Sequence, residues 1–120
     1  MRAVFLALAL VSVPAAAAEQ FDLICKAKND EVRYRIDLTS GEWCAGDCKV
    51  VMKIAEVTSG VITLYDDKPT VKEPVTSYNT INRISGEWRW YNYDPRYSTV
   101  QDVNGKCEPA EFTGFPAQKF

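Results

Sequence analysis

Apolar and polar residues alternate along most of this chain with the two-residue period of a half-buried β-strand. Phe21, Leu23, Cys25 and Ala27 share one face of the first such run, and Asn29-Asp30 offers a turn after it. Glu31 to Leu38 alternates most cleanly. Val32, Tyr34, Ile36 and Leu38 point inward, while Arg33, Arg35 and Asp37 point outward as a solvated face. The two runs predict a hairpin. Thr39-Ser40-Gly41 then turns the chain into Glu42-Trp43-Cys44. Lys49 to Val57 fits either a helical stretch or a strand with an irregularity. The strand is preferred, because the β-branched run Val61-Ile62-Thr63-Leu64-Tyr65 follows the Thr58-Ser59-Gly60 turn and offers it a partner. Asp66 to Pro74 holds two prolines and reads as a polar loop. Val75 to Ile84 and Glu87 to Tyr93 form a third hairpin about Ser85-Gly86. Tyr97 to Val103 reads as the last full strand and Asn104-Gly105 as a tight turn. Residues 109–120 form an irregular tail that Phe112, Phe115 and Phe120 pin across an open end of the sheet.

About seven or eight short strands at this spacing predict an all-β fold. The expected architecture is a small antiparallel meander, barrel-like, since closure removes exposed sheet edges. A two-sheet sandwich is the alternative arrangement of the same strands.

The first residues follow another pattern. Arg2 is followed by the uncharged run Ala3 to Val13, then Pro14, then Ala15 to Ala18. This is the layout of a cleaved signal peptide, with cleavage expected after Ala18. The run is shorter than the roughly 20 residues that a membrane-spanning helix needs. Residues 1–18 are therefore assigned to a signal peptide and 19–120 to a single β-domain. The expected location is periplasmic or secreted, with no membrane anchor after cleavage. Arg2 leaves with the leader, so a formal net charge of -2 becomes one unit more negative.

Export changes the meaning of the four cysteines, since an oxidising compartment favours disulfides. Cys44-Ala45-Gly46-Asp47-Cys48 can close a tight local loop, leaving Cys25 to join Cys107. The competing scheme pairs Cys25 with Cys44 and Cys48 with Cys107. The first is preferred because it clips both ends of a small sheet. The cysteine spacing suits neither a four-thiolate zinc site nor a C-x-x-C redox pair.

Candidate chemistry is sparse. The chain has no histidine, which excludes a Ser-His-Asp triad and any imidazole metal ligand. Asp66/Asp67 and Glu108/Glu111 are the candidate carboxylate pairs for a hydrolase, and Asp66, Asp67 and Glu73 for a calcium site. Neighbours on a strand point apart, so neither set is assigned a role. No catalytic residue, metal ligand or cofactor is expected. A small-ligand carrier would need an open barrel interior.

The densest feature is Trp88-Arg89-Trp90-Tyr91-Asn92-Tyr93, with Tyr97 close behind. On a strand, Trp88 and Trp90 take one face and Arg89, Tyr91 and Tyr93 the other. The bland interpretation is tryptophan filling a small barrel and tyrosine decorating it. The functional one makes Arg89, Tyr91, Tyr93 and Tyr97 a binding surface for a protein or saccharide in the periplasm or outside the cell. Nucleic acid is excluded as a partner, because the chain is acidic and its bases are scattered.

Several residues carry a family resemblance. They are Phe21, Asp22, Leu23 and Cys25 after the leader, then the strand Tyr34 to Leu38, then Trp43-Cys44 with Cys48. Ile81, Arg83 and Gly86 follow at a hairpin, then Gly105, Cys107, Glu108 and Pro109, then Phe112, Gly114, Phe115 and Pro116. In these the chain resembles short exported proteins of unknown function common in alphaproteobacteria. That resemblance implies a disulfide-tied domain and supplies no catalytic residue. A looser similarity is to periplasmic inhibitors of C-type lysozyme, small exported β-barrels bridged by cysteines. It implies inhibition of a cell-wall hydrolase.

Overall fold

The computed structural model describes residues 19–117; the signal-peptide assignment for 1–18 and the expected role of Phe120 fall outside them. The chain forms β1 (Gln20–Lys26), β2 (Glu31–Asp37), β3 (Glu42–Ala45), β4 (Met52–Lys53) and β5 (Glu56–Val57). It continues through β6 (Val61–Asp67), β7 (Thr76–Asn82), β8 (Glu87–Asp94) and β9 (Thr99–Ala110). All nine belong to one sheet in the order β4-β3-β2-β1-β9-β8-β7-β6-β5. Every pairing is antiparallel. The meander is therefore a single curled sheet and not a two-sheet sandwich.

The curl follows from connectivity. β4 and β5 are the two edges of the sheet, yet only Ile54 and Ala55 separate them in the chain. Three Cα steps span at most about 11 Å, so the edges must meet at this corner. The Ile54 N–H donates to the Gly41 carbonyl at 2.8 Å, toward one edge. The Ala55 N–H donates to the Thr63 carbonyl at 3.0 Å, toward the other. Lys49 to Val57 is thus a strand broken at a corner, which curls the sheet into a half-barrel.

Side chains fill the inside of the curl. Tyr34, Ile36, Trp43, Ile62, Leu64, Ile81 and Trp88 form its centre. A register shift between Thr63 and Tyr65 marks a β-bulge. The additional residue lets Leu64 and Tyr65 both turn toward the core. Tyr65 stacks on Trp43 with ring centroids 6.1 Å apart, so an aromatic pair bridges β3 and β6 where no backbone ladder does. Asn79 is 2% exposed and inward-facing. Its Nδ2 donates to the Tyr34 hydroxyl and its Oδ1 accepts from Trp88 Nε1, both at 2.9 Å. This satisfies the buried amide and holds β2, β7 and β8 together. Burial pushes the Tyr34 hydroxyl up to about 12.

The disulfides are Cys25–Cys107 and Cys44–Cys48, the preferred pairing. Cys25 and Cys107 lie directly opposite each other on β1 and β9. The local loop turns through Gly46 and Cys48, at φ 61° and 57°. Left-handed backbone is easy for glycine and uncommon for cysteine.

Four expectations need correction. There are nine strands, because the segment read as one strand divides into β4 and β5. Asn104-Gly105 is no turn; it lies inside β9, which continues through Pro109 to Ala110. Gly105 is needed there for close approach, since a Cβ would collide with the Lys26 carbonyl oxygen and press on the Ala27 methyl. The tail crosses the outer face of β1 and β2, where Thr113 and Gly114 bond to Asp22 and Arg35, and not an open end of the sheet. Arg33 and Arg35 are consequently not a solvated face. Asp22, outward on β1 and opposite Arg35, is 0% exposed. Arg33 Nε donates to its Oδ2 at 2.7 Å, and Thr113 Oγ1 donates to the same oxygen at 2.6 Å. Arg35 donates to the Gly114 carbonyl at 2.8 Å. Phe112 and Phe115 meet edge to face in the same tail.

Candidate binding face

The outer face of β7, β8 and β9 is built from three cross-strand rows. Thr76, Tyr93 and Val100 form one, Tyr78, Tyr91 and Asp102 the next, and Thr80, Arg89 and Asn104 the third. Strand alternation places all nine on the side opposite Trp88. Tyr78 and Tyr91 stack with centroids 5.1 Å apart. The Arg89 guanidinium lies 5.5 Å from the Tyr78 ring centre and 5.4 Å from that of Tyr91. It also grips Asp102 on the diagonal, Nε to Oδ1 and Nη2 to Oδ2, both at 3.2 Å. The hydrogen bond from Arg89 holds the Asp102 carboxyl below its ordinary range. An arginine held at once by a carboxylate fork and two aromatic rings has lost much of its rotamer freedom. Its planar group is preorganised.

An open depression of about 740 Å³ adjoins this face. Arg89, Asn104, Glu87, Lys106, Lys26 and Thr80 are among the residues lining it. Across β8, β9, β1 and β2 the outward charges run Glu87, Lys106, Lys26, Glu31. Each lysine therefore has an acidic cross-strand neighbour, and the row is internally balanced.

The expected surface residues divide in two. Arg89, Tyr91 and Tyr93 share the outer face of β8, as strand alternation requires. Tyr97 does not continue that line. It sits in the turn between β8 and β9, where Ser98 at φ 50° interrupts the strand. There it is 74% exposed, with Arg96 5.7 Å from its ring centre. Arg96 also pairs with Asp94 at 3.0 Å and reaches Glu73 of the β6–β7 loop at 3.7 Å. Tyr78 and Asp102 were missed by sequence reasoning. Their signal was outward parity alone, which becomes informative only when the register brings them beside Tyr91.

The other candidates remain apart from this face. Asp66 and Asp67 are consecutive residues at the exposed end of β6, directed to opposite sides of the strand. Glu108, on β9 opposite Ile24 of β1, and Glu111, just past the end of β9, are both exposed. Among the described residues, no three acidic or cysteine side chains are grouped to hold a metal ion. Among the described residues there is no helix long and apolar enough to cross a membrane. No protein family, curated protein or solved structure matches this chain, so the interpretation of the face rests on its own geometry.

Proposed function

We propose that the chain is an exported, non-enzymatic module that binds a protein partner through the outer face of β7, β8 and β9. The observation that carries this reading is the Arg89 guanidinium held against Tyr78, Tyr91 and Asp102 on an uncovered sheet face. Tyrosine and arginine are the residue types that dominate protein interfaces. A side chain already fixed loses little entropy on docking. Tyr93 and Val100 extend the apolar part of the face, and Tyr97 stands at its rim. A protein is favoured over a saccharide because Tyr78 and Tyr91 stack on each other and Arg89 also lies over both rings. A sugar platform needs a free ring face.

Inhibition of a cell-wall hydrolase is one concrete form this role would take. The packed interior speaks against a small-ligand carrier, since Trp43, Trp88, Tyr34 and Leu64 occupy the space a ligand would need. A carboxylate hydrolase finds no support in Asp66 and Asp67, which point apart.

The test is capture from a periplasmic extract and, separately, on purified peptidoglycan, with the exported chain immobilised. The expected result is one saturable protein partner, lost at least tenfold on Arg89→Ala with Tyr91→Ala. Retention on peptidoglycan alone would replace this reading with a saccharide-binding one.

A further inference from the structure

β9 is paired on both sides only over part of its length. β8 covers Thr99 to Lys106, whereas β1 joins only from Lys106 onward. Thr99, Val100, Gln101, Asp102 and Asn104 are all exposed. The Cys107 N–H donates to the Gly86 carbonyl at 2.8 Å, toward the β8 side. Peptide groups alternate along an antiparallel ladder, so those of Val103, Gln101 and Thr99 also face β8. Those of Val100, Asp102 and Asn104 point away from it, with no strand of this chain beside them among the described residues.

The other edges of the sheet are guarded. β4 and β5 are two residues each, and β4 itself carries Lys53. β6 ends in Asp66-Asp67 and is followed by Lys68-Pro69. Brevity, charge and proline are the devices that stop a strand edge from pairing with another chain. The stretch Thr99 to Asn104 is neither short nor interrupted by proline. It contains no lysine and no proline, and no register shift interrupts its pairing with β8. Its single charge, Asp102, is already neutralised by Arg89.

We infer that this edge pairs with the same edge of a second copy of the chain, antiparallel about a two-fold axis at Gln101. An edge whose only charge is internally paired does not repel its own copy, which is the condition self-pairing needs. The charge excludes one register, and the length of the open edge favours one centred near its middle. Only registers that place Val100, Asp102 and Asn104 opposite one another join the free peptide groups. Centring on Asp102 would set two carboxylates face to face, which is unfavourable. Centring on Gln101 sets Asp102 opposite Val100 of the second copy and Thr99 opposite Val103. The two Gln101 side chains then face each other. The axis stands perpendicular to the sheet, so outer face continues into outer face. Two Arg89–Tyr91–Tyr93 surfaces come to lie on one side of a continuous sheet, a geometry suited to bivalent binding. The pairing does not depend on the binding role: a monomer that still loses capture on Arg89→Ala would sink the dimer alone.

Sedimentation of the exported chain from micromolar to near-millimolar concentration tests the pairing. A reversible dimer is expected. Val100→Pro removes an edge donor without removing a bond to β8, and should weaken the dimer at least tenfold while the circular dichroism spectrum is unchanged. A second variant does not rely on proline being tolerated. Gln101→Cys should give a covalent 101–101 dimer on mild oxidation, read by peptide mapping, while Asn104→Cys should not. A chain monomeric throughout overturns the proposal. So does a dimer that Val100→Pro leaves intact, or cross-linking at 104 in place of 101.

Discussion

Two regions of this molecule place arginines at outward positions of a strand, and the arginines do opposite things. On β2, Arg33 and Arg35 lie beneath the chain's own tail. Arg33 neutralises buried Asp22, and Arg35 holds the Gly114 carbonyl. On β8, Arg89 is held by neighbours on its own face, and nothing of the described chain crosses it. The local sequences look alike: Arg33-Tyr34-Arg35 against Arg89-Trp90-Tyr91, each an outward–inward–outward triplet. What separates them is whether a remote segment returns to cover the strand. A covered arginine becomes a clamp and an uncovered one is available to a partner.

The sharpest way to break the comparison is at the joint between the two regions. Cys25–Cys107 fastens β1 to β9 across 82 residues of chain, whereas Cys44–Cys48 closes only four. Loop entropy predicts that replacing both members of the long link by alanine costs about 4.5 kcal/mol, against about 2 for the short one. Urea unfolding of the two double variants would measure the ratio. Equal losses would mean the long link does not organise the fold.

Within the covered region, Asp22→Ala should cost about 3 kcal/mol, because it leaves Arg33 without its anion and Thr113 without its acceptor. Asp22→Asn keeps an acceptor for Thr113 and should cost less. Chemical denaturation measures both, and proteolysis of the variants should begin in the tail around Thr113.

The Tyr34–Asn79–Trp88 group joins the two regions from inside. Tyr34 titrates near 10 when unfolded and at about 12 when folded. A raised acid favours the folded state fully below the unfolded value, and that contribution is lost as pH rises from 10 toward 12. Stability should therefore fall by about 2–3 kcal/mol over this range. Tyr34→Phe should flatten the alkaline decline, which thermal melts across the range would record.

The smallest stability effect belongs to the uncovered region. Arg89→Ala should leave stability almost unchanged, because water screens an exposed pair. Its Asp102 partner has a depressed carboxyl, so the small contribution of the pair is present above the ordinary aspartate range and fades as pH falls through the lowered value.

Alternation made the sheet legible. β1, β2 and β8 follow directly from period-two patterns, because each has one face in a common core, whereas β6 was readable from its β-branched run and β7 as an extended run between turns. Gly105 misled because the residue that permits a turn also permits close packing, and only the position of the Lys26 carbonyl distinguishes them. The Asp22 clamp was invisible because its partners, Arg33 and Thr113, lie 11 and 91 residues away. Arg89, Tyr91 and Tyr93 were readable as a face from strand parity. Tyr78 and Asp102 required the register, and Tyr97 left the face because Ser98 adopts left-handed backbone.

The central claim is that the outer face of β8 works for a partner while that of β2 works for the fold. The most direct measurement is partner capture by Arg89→Ala, taken together with its melting temperature. The account predicts a loss of capture of at least tenfold with a melting point within about 4 °C of the parent. Undiminished capture by a variant of unchanged stability would contradict it.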